Sequence, residues 1–265
     1  MLIDLTIGGI SGIFSRTLTA PLELYKIQRQ NYFIPNSTIR DVLKKEGISY
    51  LWKGNLTNCI RVFPQMSVNF AVFEKSKEIL NLKDKNKNNL FSGGIAGGIS
   101  MISCYPLETI RSRLSLQTNK SHYSNIFDAL KKMPIRDMYM GLNMSLLGYI
   151  PYNALSFYFY FYYKDFFKDY NIDSKLLCGG LSGASSITIT YPTDLIRRRL
   201  QLQGFDKSVP KYSGIIDCIQ KIIIKEGYKG LYRGMGATYI KIFPTYGLQF
   251  WCMDACKNFT KNNYD

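Results

Sequence analysis

Three times in this chain a proline is followed two residues later by an acid and five residues later by a base. The copies are Pro21-Leu22-Glu23-Leu24-Tyr25-Lys26, Pro106-Leu107-Glu108-Thr109-Ile110-Arg111 and Pro192-Thr193-Asp194-Leu195-Ile196-Arg197. They fall about 85 residues apart, which marks a repeat architecture. Within each copy acid and base stand three apart, on one face of a helix, where they can pair with neighbours. The proline ahead of them removes a backbone hydrogen bond and kinks that helix. Three unrelated amphipathic helices would not repeat proline, acid and base together.

A formal charge of +15 on 265 residues calls for an anionic partner: nucleic acid, an acidic membrane surface or a small anion. The cations are not gathered into a tail and no nucleic-acid-binding motif is visible, so nucleic acid is not the expected partner. Six cysteines stand without a C-x-x-C pair and His122 is the only histidine. Neither a disulfide framework, a metal site nor a cofactor is expected from them. Residues 142–163 hold no charge, and as a helix they would measure about 33 Å, enough to cross the hydrocarbon of a bilayer. Residues 90–107 and 176–193 are likewise uncharged. No cleavable presequence is expected, since Met1-Leu2-Ile3-Asp4 runs straight into Gly8-Gly9.

Ahead of each proline motif lie small residues four apart: Gly8 and Gly12, Gly93 and Gly97 with Gly94 and Gly98, and Gly179 and Gly183. Such spacing lets two membrane helices approach closely. After the motif come a polar stretch, a short amphipathic segment (37–46 in the first third), and Glu46-Gly47-Ile48-Ser49-Tyr50-Leu51-Trp52-Lys53-Gly54. The latter's twin is Glu226-Gly227-Tyr228-Lys229-Gly230-Leu231-Tyr232-Arg233-Gly234, and the middle copy is eroded to Met138-Tyr139-Met140-Gly141. Each closing glycine opens a further apolar helix carrying its own proline: Pro64, Pro151 and Pro244. The expected fold is an all-α membrane protein: six kinked transmembrane helices and three short surface helices in one domain. Its repeats are 1–82, 83–172 and 173–265, with polar turns at 81–89 and 169–173. Charge inside a membrane is expensive unless paired or facing water, so these helices are expected to do more than anchor.

The three P-x-[DE]-x-x-[KR] motifs, the two intact E-G-x-x-x-[LF]-[YW]-[KR]-G copies and the two proline ladders resemble the mitochondrial carrier family, from Gly8 to Lys257. The resemblance implies a threefold pseudosymmetric six-helix barrel in the mitochondrial inner membrane, working as a monomer by alternating access between two salt-bridge networks. On the matrix side it would pair Glu23 with Arg111, Glu108 with Arg197 and Asp194 with Lys26, with Gln28 as a brace. On the cytosolic side it would pair Glu74 with Lys164 and Asp254 with Lys77. There Tyr160 is a brace, and Lys257 lacks its acid because Phe161 takes that place. Trp52-Lys53-Gly54, Gly141 and Tyr232-Arg233-Gly234 resemble the family's cardiolipin sites, where backbone N–H groups at a helix start suit a lipid phosphate. The complete matrix network implies that the substrate-free protein rests open to the cytosol.

Ser15-Arg16-Thr17-Leu18-Thr19-Ala20-Pro21 resembles the carriers of adenine nucleotides, ATP-Mg/phosphate or coenzyme A. The family's contact positions fall on Arg61, on Gly148 with Tyr149, and on Lys241. Three cations with no evident acid between them imply an anionic, phosphorylated substrate, since arginine offers a planar fork to phosphate oxygens. Tyr149, Tyr152 and Asn153 are placed either to stack on a base or to narrow its slot. The chain does not continue Arg197-Arg198-Arg199 with the methionines of the major ADP/ATP carriers, and the N-terminal extension of calcium-regulated carriers is not expected. The reading is a nucleotide exchanger. Coenzyme A, thiamine pyrophosphate or deoxynucleotides are the alternative cargoes, and a non-transporting membrane scaffold is the alternative class. No nucleophile–base pair or phosphate-binding lysine loop points to an enzyme.

Overall fold

Pro21 divides the first long segment in two. Helix α1 (Leu2–Leu18) stops at Thr19 (φ −93°, ψ 4°), and α2 (Ala20–Gln30) resumes beyond it. The Thr19 hydroxyl donates to the Ser15 carbonyl at 2.8 Å, satisfying an acceptor at the break. The computed structural model describes residues 2–31, 43–44, 47–117, 122–168, 175–204 and 209–264, and among these there is no strand. A 3₁₀ turn, η1 (Ile48–Trp52), leads into α3 (Asn55–Leu80), followed by α4 (Lys85–Leu116). Next come two short helices, α5 (Ile126–Lys132) and α6 (Ile135–Met138), and the long α7 (Leu142–Lys168) and α8 (Lys175–Leu202). The chain ends with α9 (Ile215–Glu226), η2 (Tyr228–Tyr232) and α10 (Met235–Tyr264). Pro64, Pro106, Pro151, Pro192 and Pro244 all lie inside helices. The expected segment 37–46 and turn 169–173 fall mostly or wholly outside the described residues. The expected turn 81–89 is shorter than read, because α4 already starts at Lys85.

The long segments touch in ring order: α1 with α2, then α3, α4, α7, α8 and α10, which closes back on α1 and α2. At the end carrying the motifs α2, α4 and α8 also touch one another. There Ile27, Leu116 and Leu202, one from each third, form a buried apolar cluster. Many small polar residues are buried between the helices and many large apolar ones are exposed. Ser11, Ser15, Ser92, Ser100 and Ser186 are buried, while Leu90, Ile150, Phe157, Ile189, Ile240 and Trp251 are exposed. Scattered exposed apolar residues are ordinary, but an apolar exterior around a polar interior is the signature of a helix ring with lipid outside. By length and composition alone, only Lys87–Leu116 among the described residues is apolar enough to cross a membrane. In α7 and α8, whose residues 142–163 and 176–193 hold no charge, it is Asn, Ser, Thr, Tyr and Gly that lower the average.

Of the small-residue pairs, only two sites are close approaches. A methyl on Gly8 would lie 3.3 Å from Met66, and one on Gly97 would lie 2.2 Å from the Tyr149 hydroxyl. Gly93, Gly94, Gly98, Gly179 and Gly183 face open space, so the expected ladder of tight contacts is not general. The closing glycines are different. Gly54, Gly141 and Gly234 hold φ of 81°, 83° and 84°, a left-handed conformation that a side chain disfavours. Each also lies against the inner helix end of another repeat, where a Cβ would meet the Arg111 carbonyl at 3.0 Å, the Arg197 carbonyl at 2.9 Å or Gln30 at 3.0 Å. Gly141→Ala is expected to lower stability by about 1–3 kcal/mol, measured as a lower thermal unfolding midpoint of the purified protein.

Candidate functional site

The charged motifs meet where α2, α4 and α8 converge. Arg111 Nη2 lies 3.2 Å from Glu23, Arg197 Nη2 3.0 Å from Glu108, and Lys26 Nζ 2.9 Å from Asp194. Each bond joins one third to another. Arg197 also reaches Asp194 on its own helix at 3.3 Å. All six side chains are shielded, the most exposed being Asp194 at 29%. Tyr105 and Tyr191, directly ahead of two of the prolines, tie this end to the loops. Their hydroxyls donate to the Met140 and Arg233 carbonyls at 3.1 and 2.9 Å, and their rings stack on Tyr139 and Tyr232. In the first third, where Ala20 holds that position, Trp52 instead donates its indole N–H to the Thr17 carbonyl at 2.8 Å.

The glutamine that reaches the network is Gln30, not Gln28. Its amide donates to Asp194 at 3.1 Å and to the Tyr191 hydroxyl at 3.2 Å. The reason is helical register. Gln30 follows Glu23 by seven residues, two turns, and shares its face, whereas Gln28 is turned toward the opposite side. Arg113 and Arg199, at the register of Gln28, do other work. Arg199 forks onto Glu226 and donates to the Gln30 carbonyl; Arg113 reaches Asp137 at 3.5 Å and donates to the Gln201 carbonyl. Asp137 thus stands in for Glu226 in the middle repeat, a residue the sequence reading missed although it lies just ahead of Met138. Gln201, seven residues after Asp194, was missed as well; it accepts from Arg198 at 3.1 Å.

The reading of three cations with no acid between them is overturned. Arg61 lies 3.1 Å from Glu108, and Lys241 bonds directly to Glu23. They approach the carboxylates from α3 and α10, so each of these two acids is shared by cations from two helices. Arg16 differs: its Nη1 is buried without a hydrogen-bond partner, within electrostatic range of Arg61, Arg111 and Glu23. Arg198, 3% exposed, donates to the neutral Ser112 hydroxyl and the Gln201 side-chain amide oxygen Oε1. Around Glu23, Glu108 and Asp194 stand Lys26, Arg111, Arg197, Arg61, Lys241, Arg198 and Arg16, a clear excess of positive charge.

Gly148, Tyr149 and Tyr152 line a recess with Lys26, Asp194 and Arg197. Asn153 donates to the Tyr149 carbonyl at 2.7 Å, along its own helix. At the opposite end of the ring, no such network is formed among the described side chains. Glu74, Lys77 and Lys164 are exposed, Tyr160 is half-buried, and no ion pair among the described residues links Glu74 to Lys164. Lys77 rests over the Phe73 ring at 5.9 Å. The side chains of Asp254 and Lys257 lie outside those described. Lys53 sits over the Tyr50 ring and Arg233 lies 3.5 Å from Glu226, while Gly54, Gly141 and Gly234 immediately precede α3, α7 and α10. None of the six cysteines is in a disulfide among the described residues, and burial pushes the Cys218 thiol up to about 12, which disfavours its thiolate.

Replacing Gln30 by Leu is expected to cost about 1.5–3 kcal/mol, as for a lost hydrogen bond to a charged group. Gln28→Ala should stay within about 0.5 kcal/mol. Thermal unfolding of the two purified variants checks the assignment, and the reverse order would restore Gln28 as the brace.

The family model described as mitochondrial carrier protein matches this sequence over residues 1–84, 82–171 and 168–264. A mitochondrial substrate carrier family protein P of Dictyostelium discoideum is 32% identical over 95% of this chain and 92% of its own length. An adenine nucleotide transporter, chloroplastic/mitochondrial, of Arabidopsis thaliana is 32% identical over 97% of this chain and 69% of its own. A mitochondrial adenyl nucleotide antiporter of Mus musculus is 32% identical over 93% of this chain, which spans 56% of that protein.

Proposed function

Since the chain belongs to the mitochondrial carrier family, whose members are transporters, we propose that it exchanges nucleotides across the mitochondrial inner membrane by alternating access. The ring of helices is then a threefold barrel of six spans, built from repeats 1–82, 83–172 and 173–265, with the motif network as its matrix gate. The observation that carries the reading is the excess of cations about Glu23, Glu108 and Asp194, with the Arg16 Nη1 buried and without a hydrogen-bond partner. A site of that charge has the chemistry for an anion bearing several phosphate oxygens. Transport of adenine nucleotides by the Arabidopsis and mouse relatives supports the choice among phosphorylated cargoes.

The mechanism follows from the sharing of carboxylates. Phosphate oxygens arriving at Arg61 and Lys241 compete directly with Glu108 and Glu23 for the same donors. Drawing these cations away leaves each acid one partner fewer, which loosens the contacts among α2, α4 and α8. At the other end Glu74, Lys77, Tyr160, Lys164, Asp254 and Lys257 would close as the matrix gate opens, a network lacking one acid at Phe161. Substrate shifts the equilibrium only by its differential affinity for the two states; about 5.5 kcal/mol takes it from 1:99 to 99:1. Cardiolipin phosphate would sit at the helix starts after Gly54, Gly141 and Gly234, near Trp52, Lys53, Tyr232 and Arg233. The carrier acts as a monomer.

Liposomes preloaded with candidate anions test the reading. ADP/ATP exchange is expected, and Arg16→Ala should abolish it while leaving the unliganded unfolding midpoint unchanged or raised, because Arg16 makes no ion pair among the described residues. Exchange of only coenzyme A or thiamine pyrophosphate would move the cargo within the phosphorylated class. Uptake of small dicarboxylates or amino acids alone would overturn the proposal, and absence of any exchange would favour a scaffold.

A further inference from the structure

The nucleotide reading leaves open where the base lies. The recess at Gly148 and Tyr149 is small, about 230 Å³. Its two named residues are committed to packing. A Cβ on Gly148 would meet the Thr193 hydroxyl at 2.5 Å, and the Tyr149 hydroxyl occupies the space above Gly97. The second recess, about 460 Å³, lies between α1 and α3. Only this one falls within the roughly 300–1,000 Å³ typical of small-molecule sites.

Its lining has the chemistry of a base pocket. Gly8, Gly12 and Arg16 recur every four residues along one face of α1. Gly8 lets Met66 approach closely, Gly12 leaves space, and the third position supplies a guanidinium whose buried Nη1 has no hydrogen-bond partner among the described residues. Across from them α3 contributes the Met66 thioether and the Phe70 ring, which suit a flat aromatic heterocycle. Gln65 adds an amide, able both to donate to and to accept from a base edge. A methyl placed on Gly12 would meet only Val62, at 3.8 Å, so the space beside it is real room and not a tight helix contact. Resting on the nucleotide reading, we infer that this α1–α3 recess takes the base and ribose, with the phosphates directed toward Arg16 and Arg61.

The test compares ADP with inorganic pyrophosphate as competitors of labelled nucleotide uptake into liposomes. Gly12→Val fills the recess, and the apparent constant for ADP should rise about tenfold or more, the scale on which pocket shape discriminates. Inhibition by pyrophosphate, which has no base, should change by less than about twofold. Phe70→Ala, which removes the ring instead of adding bulk, should weaken ADP selectively as well. It serves as the deciding variant if Gly12→Val does not fold. Equal weakening of both competitors, or no change in either, would overturn the α1–α3 subsite while leaving nucleotide exchange intact. Wild-type protein that holds ADP no more tightly than pyrophosphate would overturn the nucleotide reading itself.

Discussion

Three shielded carboxylates hold the inner end of this helix ring together, and each is divided among cations from different helices. Glu108 binds Arg197 and Arg61, Glu23 binds Arg111 and Lys241, and Asp194 binds Lys26, Arg197 and the Gln30 amide. Removing one partner from a buried pair costs about 3–5 kcal/mol because the other charge is stranded. These bonds therefore depend on α2, α4 and α8 staying in contact. Below them Ile27, Leu116 and Leu202 form an apolar cluster. Charge supplies the directional bonds and the apolar cluster excludes water from them. Loop glycines with left-handed backbone, locked onto the next repeat's helix end, transmit the same geometry around the ring.

Sharing has a functional consequence. In a site whose substrate-facing cations were free, binding and opening would be separate events. Here Arg61 and Lys241 belong both to the closed network and to the positions proposed to meet the substrate, so occupancy and loosening are one exchange of partners. Arg16 stands outside that exchange. Its buried Nη1 has no hydrogen-bond partner among the described residues and stands ready for an incoming anion, as do the Nε atoms of Arg61, Arg197 and Arg198.

Much of this was legible in the chain. Proline, acid and base recurring about every 85 residues gave the helices and their kinks, and the resemblance to the carrier family supplied the pairings Glu23–Arg111, Glu108–Arg197 and Lys26–Asp194. What escaped was whatever depends on distance across the ring. Nothing in the spacing links Arg61 to Glu108 or Lys241 to Glu23, because they sit on separate helices and meet only when the ring closes. Gln28 was chosen over Gln30 by position in a motif, although counting two full turns from Glu23 points to Gln30. Asp137 was hidden because the glycine beside its counterpart Glu226 is absent from the middle copy. The glycine pairs looked equivalent in sequence, yet only Gly8 and Gly97 face a close neighbour, since the same spacing serves both a helix contact and an open wall.

The proposal at the centre of this account is that the motif network closes one end of a barrel whose other end is open without substrate, and that substrate reverses the two. In a cysteine-free background, single cysteines at Asn69, on the recess wall, and at Ser115, buried at the motif end, report this directly through membrane-impermeant thiol labelling in oriented vesicles. The account predicts that the substrate-free carrier labels Asn69→Cys from the cytosolic face and leaves Ser115→Cys protected, with substrate raising labelling of Ser115→Cys from the matrix face. Preferential labelling of both positions from the matrix face without substrate would contradict it.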